Sequence, residues 1–320
     1  MTWLLGDIGG TNARFALLGE DGALCAVERF AVAGHPTAEA ALRAYLALHG
    51  GAPEAAILAV AATVEDGRAR LTNAQWEFEE RSLAQALGLR RVVLINDFAA
   101  LAQAVPRLGE RQLLTLGGGP GRPDAPIAVL GPGTGLGCAT LLPDGRVLVG
   151  EGGHVTLAAV DEREAALLAI LRRRFAHVSA ERVLSGPGLI ELHEAVGELD
   201  GSRAPRARDG AEVAAAASAG CPGAEATLAA FFGFLGTVAG NLALTVGAKG
   251  GLYLAGGILP RLAGPLRGSV FRERFQAKGR FRDYLAAVPL RLIVEPDPAF
   301  LGLIQIAEQQ RHRPADGRRA

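Results

Sequence analysis

Residues 7–12 have the sequence DIGGTN, and they join two apolar segments, residues 3–8 and 13–18, that are typical of β-strands. Glycines let the chain turn back tightly, so that successive backbone N–H groups can point into one concavity that holds phosphate. A carboxylate beside such phosphates, Asp7, would hold Mg²⁺ through water. A plain hairpin turn with glycines at positive φ explains this segment equally well. The phosphate-binding interpretation assigns backbone and side-chain donors to Gly9, Gly10, Thr11 and Asn12.

Two more glycine turns follow predicted strands. The segment GPGTGLG, residues 131–137, lies between predicted strands 127–131 and 138–142, and a third turn follows the predicted strand 252–255. Two amide-rich loops that face each other can clasp a triphosphate without a lysine, and the third suits close approach of the backbone to an adenosine. The residues assigned to the nucleotide here are Gly133, Thr134, Gly135, Gly256 and Gly257.

The commoner nucleotide-binding fingerprints are absent from this sequence. A P-loop needs GxxxxGK[S/T], and neither Lys249 nor Lys278 is followed by Ser or Thr. The dinucleotide fingerprint GxGxxG fails as well, because counted from Gly131 its last position holds Leu136. The P-loop fold is therefore excluded, and the glycine turns need another explanation.

The composition is that of a globular protein without a strongly charged partner. Among 320 residues, Lys+Arg and Asp+Glu both number 33, so no basic field points to a nucleic acid or an anionic membrane. The three cysteines stand apart from one another, which argues against a disulfide framework and against a zinc site. We therefore expect small-molecule ligands and no nucleic acid.

Predicted strands alternate with helical patterns along the chain, which indicates an α/β protein. The unit of strand, glycine turn and strand occurs twice, near residues 4–18 and 127–142, as two similar halves would show. The Gly/Pro-rich run 117–126 is the clearest linker in the sequence. The length of the chain also favours two domains.

One long stretch, residues 226–248, contains no charged residue and is long enough to span a bilayer. Glycines, threonines and Asn241 dilute it, and no basic flank biases its orientation. A helix buried all round inside a large domain fits better. Since the chain also opens without the apolar core of a signal peptide, we expect a cytoplasmic protein that enters no membrane.

The order of six motifs resembles the bacterial glucokinase family, which belongs to the actin-like ATPase superfamily of sugar kinases. These motifs are DIGGTNARFAL, LINDFAA, GPGTGLG, EGGH, HVSAERVLSGPG and LYLAGGILPR, and the resemblance runs from about residue 3 to residue 305. EGGH and SAERVLSG are far more specific than the glycine turns. The zinc-binding cysteine cluster of the related repressor/kinase family is missing, which places the chain in the non-zinc, glucokinase branch.

The resemblance implies an α/β, two-domain actin-like ATPase (ribonuclease H-like) fold with the ligand cleft between the domains, and a homodimer. The expected parts are a small α/β domain over residues 1–110, completed by a C-terminal helix at about 299–310, a large α/β domain over 111–298, and a flexible tail over 311–320.

By its position in the family's motifs, Asp97 is a sugar ligand and the general base that accepts the proton of the sugar hydroxyl. It follows the buried predicted strand 92–95, although it also precedes a helical run, and an N-cap explains it too. Taken singly, Glu151 and His154 also suit a surface turn, and Glu181 suits a helix N-terminus. The remaining sugar ligands that the resemblance implies are Asn73, Asn96, Glu151, His154 and Glu181.

The activity that the resemblance implies is ATP- and Mg²⁺-dependent phosphorylation of D-glucose at its 6-hydroxyl, which yields glucose 6-phosphate and ADP. Thr63 stands where the family usually has a proline, in a loop beside the sugar, so another hexose or an amino sugar is an alternative substrate. A non-catalytic sugar sensor on the same fold is the alternative of a different class. The presence of Asp97, and the lack of room for a helix-turn-helix before the first turn, argue against a sensor.

Overall fold

The computed structural model describes residues 2–50, 52–71, 74–201 and 207–311, and the structural statements below refer to these residues. The chain divides into two compact units. Unit 1 comprises Met1–Leu108 together with Glu295–Ala320, and unit 2 comprises Gly109–Val294.

Strands and helices alternate along the chain, so the predicted α/β class is confirmed. The strands are β1 Trp3–Ile8, β2 Asn12–Leu18, β3 Leu24–Ala31, β4 Ala55–Val60, β5 Arg68–Arg70, β6 Glu77–Glu79, β7 Arg91–Asn96, β8 Leu113–Gly117, β9 Ile127–Pro132, β10 Leu136–Leu141, β11 Val147–Gly150, β12 Gly251–Leu254 and β13 Leu290–Ile293. The α-helices are α1 Ala38–His49, α2 Glu80–Leu87, α3 Asp97–Ala104, α4 Glu162–Arg172, α5 Gly186–Leu199, α6 Gly210–Ser218, α7 Pro222–Val246, α8 Ala263–Arg267, α9 Phe271–Gln276, α10 Arg282–Ala287 and α11 Ala299–Arg311.

Unit 1 contains a five-stranded sheet with the order β3-β2-β1-β4-β7. β1 runs antiparallel to β2 and parallel to β4, and β4 runs parallel to β7. The central strands carry apolar side chains on both faces of the sheet, because helices cover both faces. One face packs on α1, with Tyr45 fully buried, and the other packs on α11 through Phe300 and Leu303.

Unit 2 contains a six-stranded sheet with the order β11-β10-β9-β12-β13-β8. β9, β10 and β11 are antiparallel neighbours, whereas β12 runs parallel to β9 and β13 parallel to β12. When β8 and the short β5–β6 pair are left out, the remaining five strands of each unit, numbered in chain order, lie in the same sheet order: third, second, first, fourth and fifth. β8 extends the unit 2 sheet beside β13. The two units therefore share one topology, as the repeated strand–turn–strand pattern indicated.

The uncharged stretch near residues 226–248 forms most of α7, which is long and apolar enough to cross a membrane by length and composition alone. Within unit 2, 61% of its most apolar window is buried. Its glycines permit close packing on α9, since a Cβ on Gly236 would lie 2.4 Å from the carbonyl oxygen of Phe271. Residues 231–240 are buried on all sides, as expected, whereas Ala229, Asn241 and Thr245 are exposed, so α7 is buried all round only in its middle.

The Gly/Pro-rich run 117–126 is not where the two units divide, so its interpretation as the main linker was wrong. It lies inside unit 2, where the Gly119 N–H donates to the carbonyl of Ala287 at 3.1 Å. Gly118 has a φ of +86°, and a Cβ there would fall 1.9 Å from the Val288 carbonyl oxygen. Glycine is required at this position by tight packing, and the loop is a fixed part of the unit.

The sequence patterns also missed helix α5. Its first turn has the sequence Gly-Pro-Gly, which in isolation indicates a loop. Ser185 caps the helix by accepting a hydrogen bond from the Gly188 N–H at 3.0 Å, and proline is tolerated in the first turn because no intrahelical N–H bond is needed there. The helix then buries Leu189, Leu192 and Val196 in the core of unit 2.

Candidate active site

In unit 1 the predicted ligand residues that the structure describes lie at or next to the carboxyl ends of neighbouring strands of the sheet. Ile8, Val60 and Asn96 are the last residues of three neighbouring parallel strands and are paired in register. The segments that follow them are the DIGGTN turn, the loop containing Thr63, and the start of α3. Carboxyl ends of parallel strands are where open α/β sheets bind ligands, so the strand register assembles these three segments on that edge.

The glycines of the first turn are not explained by backbone conformation. β1 and β2 do form a hairpin, and the Gly9 N–H donates to the Asn12 carbonyl at 2.9 Å. Neither Gly9 nor Gly10 has a positive φ, so the alternative of a hairpin with glycines at positive φ is wrong. A Cβ on Gly9 would meet only the Asn12 carbonyl oxygen, at an ordinary 3.5 Å. Packing does not demand glycine there, which leaves room for a ligand to approach the backbone.

Asp7 belongs to a three-residue cluster of charges in unit 1. Its Oδ2 accepts a hydrogen bond from Arg14 Nη1 at 2.9 Å, and Arg14 Nε lies 3.0 Å from Asp297 Oδ1. The second contact is an ion pair without hydrogen-bond geometry. Burial raises the pKa of the Asp7 carboxyl, and the positive charge of Arg14 opposes that rise. Sequence reasoning missed Arg14 and Asp297, because no local pattern connects them to the turn.

Asn96 and Asp97 meet at the N-terminus of α3, where Asn96 takes the role of the N-cap that we had considered for Asp97. Asn96 Oδ1 accepts from the N–H groups of Phe98 at 2.9 Å and Ala99 at 3.2 Å. Its Nδ2 donates to the Ala62 carbonyl at 3.3 Å, which ties the loop after β4 to the helix. Asp97 is the first residue of the helix, and its Oδ1 accepts from the Phe98 N–H at 2.9 Å. The helix N-terminus favours negative charge at this carboxylate.

Asn73 lies outside the described residues, so its predicted role on the sugar side stays a prediction. Thr63 is described, and it follows the Ala61–Ala62 turn at the edge of the sheet. The Ala61 N–H donates to the Ile8 carbonyl at 2.9 Å, so this loop begins beside the DIGGTN turn.

In unit 2 the second and third glycine turns lie side by side, because β9 and β12 are parallel neighbours. Gly256 has a φ of +85°, and a Cβ there would fall 2.3 Å from the Pro132 carbonyl oxygen. Contact between the two turns therefore explains why residue 256 is a glycine. By contrast, a Cβ on Gly133 or Gly257 would meet no atom within 4 Å, and neither residue has a positive φ. These two glycines, like Gly9, leave backbone open to a ligand.

The predicted sugar residues of unit 2 form one cluster. Glu151 and His154 lie in a single turn, closed by a hydrogen bond from the His154 N–H to the Glu151 carbonyl at 3.0 Å. His154 Nε2 lies 4.0 Å from Glu181 Oε1. Both Glu151 and His154 are exposed, as a surface turn would also have them. The alternative interpretation, that Glu181 lies at a helix N-terminus, is wrong, since the next α-helix begins only at Gly186.

Glu181 holds the turns of unit 2 together. Its Oε2 accepts a hydrogen bond from the Leu136 N–H at 2.8 Å, at the end of the second glycine turn. Its own N–H donates to the Gly153 carbonyl at 2.8 Å, inside the EGGH turn. Gly153 must be glycine, because a Cβ would lie 2.1 Å from the Leu136 carbonyl oxygen. The EGGH and SAERVLSG motifs therefore pack on the glycine turn that precedes them.

Two sheets of one topology, each with glycine turns and acidic or amide side chains at the carboxyl ends of its strands, define the actin-like ATPase fold in the form found in sugar kinases. The family model described as "Glucokinase" matches residues 4–310. The chain therefore belongs to the glucokinase family.

Individual relatives agree with this assignment. The chain is 48% identical over 306 residues to a glucokinase of Paramagnetospirillum magneticum, covering 94% of this chain and 95% of the relative. It is similar to the crystal structure of a glucokinase from an Antarctic psychrotroph, with 38% identity, a TM-score of 0.84, and coverage of 96% and 99%. A ROK family glucokinase from Streptomyces griseus, solved with glucose and AMPPNP, shares the fold with a TM-score of 0.67 at 23% identity over 97% of this chain and all of that one.

Proposed function

We propose that this chain transfers the γ-phosphoryl group of ATP to the 6-hydroxyl of D-glucose, producing glucose 6-phosphate and ADP. Membership of the glucokinase family and the 48% identity to a glucokinase support this activity. The single observation that carries the mechanism is the position of Asp97, a carboxylate at a helix N-terminus directly after a strand at the ligand edge of the sheet.

Asp97 is the general base. A sugar hydroxyl is a poor nucleophile until its proton is accepted, so the carboxylate takes the 6-hydroxyl proton while the oxygen attacks the γ-phosphorus. The bond between the γ-phosphorus and the bridging oxygen breaks, and ADP leaves. Asn96 supports the base by capping α3, which holds the backbone of the neighbouring residue in place.

The residues that we assign to the sugar are Asn73, Asn96, Asp97, Glu151, His154 and Glu181. Carboxylates accept hydrogen bonds from vicinal hydroxyls, and amide groups both accept and donate them. A hydroxyl of the wrong stereochemistry leaves these groups without a partner. The pairing of His154 with Glu181 in one cluster supports a shared ligand for these two residues.

The nucleotide binds through the glycine turns, at Gly9, Gly10, Thr11 and Asn12 and at Gly133, Thr134, Gly135, Gly256 and Gly257. When bound, Mg²⁺ neutralises charge on the phosphate oxygens. Asp7 fits this ion, because its carboxylate stands at the end of β1 where the first turn begins. One of its oxygens is committed to Arg14, so contact through a water molecule suits it better than direct ligation.

Replacement of Asp97 by alanine tests the mechanism. We expect kcat to fall by roughly 10²–10⁴-fold, because general-base catalysis is lost, while calorimetry still detects glucose binding. Asp124→Ala, which removes an exposed aspartate in unit 2, is the control and should turn over normally. Near-normal turnover by Asp97→Ala would show that another group is the base.

A panel of sugars tests the substrate. ADP release with Mg-ATP is measured after addition of glucose, mannose, fructose, N-acetylglucosamine or no sugar. Stimulation by glucose alone supports the proposal and makes Thr63 a tolerated change in its loop. Stimulation by another sugar would keep the mechanism and change the substrate, and ATP binding without stimulation by any sugar would favour a sugar sensor.

We further propose that the protein is a cytoplasmic homodimer that binds neither nucleic acid nor membranes. It rests on the glucokinase family and on the balanced charge of the chain. Light scattering of the purified protein measures the oligomeric state directly, and a monomeric mass would contradict the dimer.

A further inference from the structure

The Glu181 carboxylate lies against the second glycine turn at the place where a side chain on Gly135 would stand. A Cβ on Gly135 would lie 2.4 Å from Glu181 Oε2 and 3.2 Å from the carboxyl carbon. The same Oε2 accepts the hydrogen bond from the Leu136 N–H at 2.8 Å. The missing side chain of Gly135 is therefore what allows this carboxylate to lie against the backbone.

The other reasons for a glycine do not apply at this position. Gly135 has no positive φ, so an L-residue can adopt its backbone conformation. Its neighbour in the turn, Gly133, is open, with no atom within 4 Å of a Cβ. Two glycines of one motif thus have different surroundings, because Gly133 faces open space and Gly135 faces the carboxylate of Glu181.

The contact connects the glycine turn to the sugar cluster of unit 2. Glu181 Oε2 is held by the turn, while Oε1 lies 4.0 Å from His154 Nε2. If the carboxylate moved away from the Leu136 N–H, its Oε1 would also move away from its position beside His154. Since bidentate recognition of hydroxyls needs fixed oxygens, the geometry of the sugar cluster depends on the glycine turn.

We propose that Gly135 is a positioning residue for the sugar, which acts by leaving room for the Glu181 carboxylate on the Leu136 N–H, in addition to any contact with the nucleotide. The inference rests on the proposed function, because it takes Glu181 to be a sugar ligand. It predicts that a methyl group added in the nucleotide turn weakens sugar binding even when no nucleotide is present.

The test is Gly135→Ala. The clashing atom is the far end of a flexible side chain, so the variant can fold by moving the carboxylate, which circular dichroism checks. We expect the dissociation constant for glucose, measured by calorimetry without ATP, and the KM for glucose to rise roughly tenfold or more, as loss of a charged hydrogen bond predicts.

Two other glycines provide comparisons. Gly133→Ala adds the same methyl group to the same turn without touching Glu181, and it should leave glucose binding in the absence of ATP unchanged. Gly264→Ala, in α8 with no atom near a Cβ, should leave both constants unchanged. If Gly135→Ala binds glucose as tightly as the unmodified chain, the inference is wrong.

A double mutant separates positioning from general damage. Glu181→Asp shortens the side chain by one methylene and weakens glucose binding in the normal chain. In the Gly135→Ala background the shorter acid avoids the methyl group, so its effect should be much smaller, and the two changes should not add. Additive losses would contradict the inference. Failure of the unmodified chain to release ADP with glucose would instead contradict the proposed function.

Discussion

At the scale of single residues, Arg14 is the charge that keeps two carboxylates together beside the first glycine turn. Asp7 and Asp297 both contact its guanidinium, and the side chains of Asp7 and Arg14 are 16% and 29% exposed. Without the guanidinium the buried Asp7 carboxyl would lose the partner that opposes the rise in its pKa. Arg14 therefore stabilises the end of β1 from which the turn begins.

Replacement of Arg14 by glutamine should lower the free energy of unfolding by roughly 1–3 kcal/mol, because it leaves a partly buried carboxylate without its charged partner. Urea unfolding measures the change. Arg90→Gln is the matched control, since Arg90 pairs with Glu54 at 3.0 Å but is 77% exposed. The control should change stability by about 0.5 kcal/mol or less. Equal effects of the two variants would argue against a stabilising role for Arg14.

The residues of the candidate site differ in how well sequence predicted them. Asn96 and Asp97 follow an apolar run, and the structure has them at a strand end, as the pattern indicated. Which of the two caps α3 was not predictable, because both residue types favour that position and only the backbone geometry chooses. Arg14 and Asp297 were missed for a different reason, since no periodic pattern connects residues so far apart in the chain.

At the scale of elements, α3 and α11 pack with their backbones almost in contact. Gly302 on α11 faces α3, and a Cβ there would fall 1.8 Å from the Ala100 carbonyl oxygen and 3.0 Å from the Ala104 nitrogen. Backbone atoms cannot move aside as a side chain can. The position of α3, and of Asp97 at its start, therefore depends on this glycine.

Gly302→Ala should destabilise the protein by at least about 2 kcal/mol, because overpacking against backbone forces the helices apart. The thermal midpoint and the urea midpoint both report this change. Gln309→Ala, an exposed position on the same helix, is the control and should have little effect or stabilise slightly through helix propensity. A Gly302→Ala variant as stable as this control would mean that the helices can separate at little cost.

Among the elements, the apolar strands and helices α1 and α4 were predictable, and α5, which opens with Gly-Pro-Gly, was not. α1 and α4 begin after Thr37 and Asp161, whose side chains accept hydrogen bonds from their first turns. α5 begins with residues that are poor helix formers, and burial of its apolar face stabilises it instead. Local propensity decides the first kind of helix, and tertiary packing decides the second.

At the scale of the whole molecule, α11, the last helix of the described residues, belongs to unit 1 together with the N-terminal strands. α11 covers one face of the unit 1 sheet, and Phe300, Leu303 and Ile306 pack against Trp3 and Leu5 on β1. Each such side chain contributes about 1.5–3 kcal/mol when buried. A domain is stable by only about 5–15 kcal/mol in total, so unit 1 depends on residues near the far end of the sequence.

A chain that ends at Val294 should lose the cooperative unfolding transition of unit 1, because one face of its sheet becomes exposed. Hydrogen exchange followed by mass spectrometry measures this through the protection of the β1 and β4 amides. A chain that ends at Arg311 is the control, since it keeps all of α11. Unchanged protection of β1 and β4 in the shorter chain would contradict the role of α11.

Alternating apolar segments, glycine turns and capping residues were enough to predict an α/β protein with a repeated strand–turn–strand unit, because these features depend on neighbours in the chain. Only the tertiary structure shows why particular positions must be glycine. Gly133 and Gly135 belong to one motif, yet only Gly135 lies against the Glu181 carboxylate, and Gly118, expected in a linker, is packed against Val288. A sequence records which side chain is missing, but the atom that occupies its place comes from a distant segment and is known only once the chain has folded.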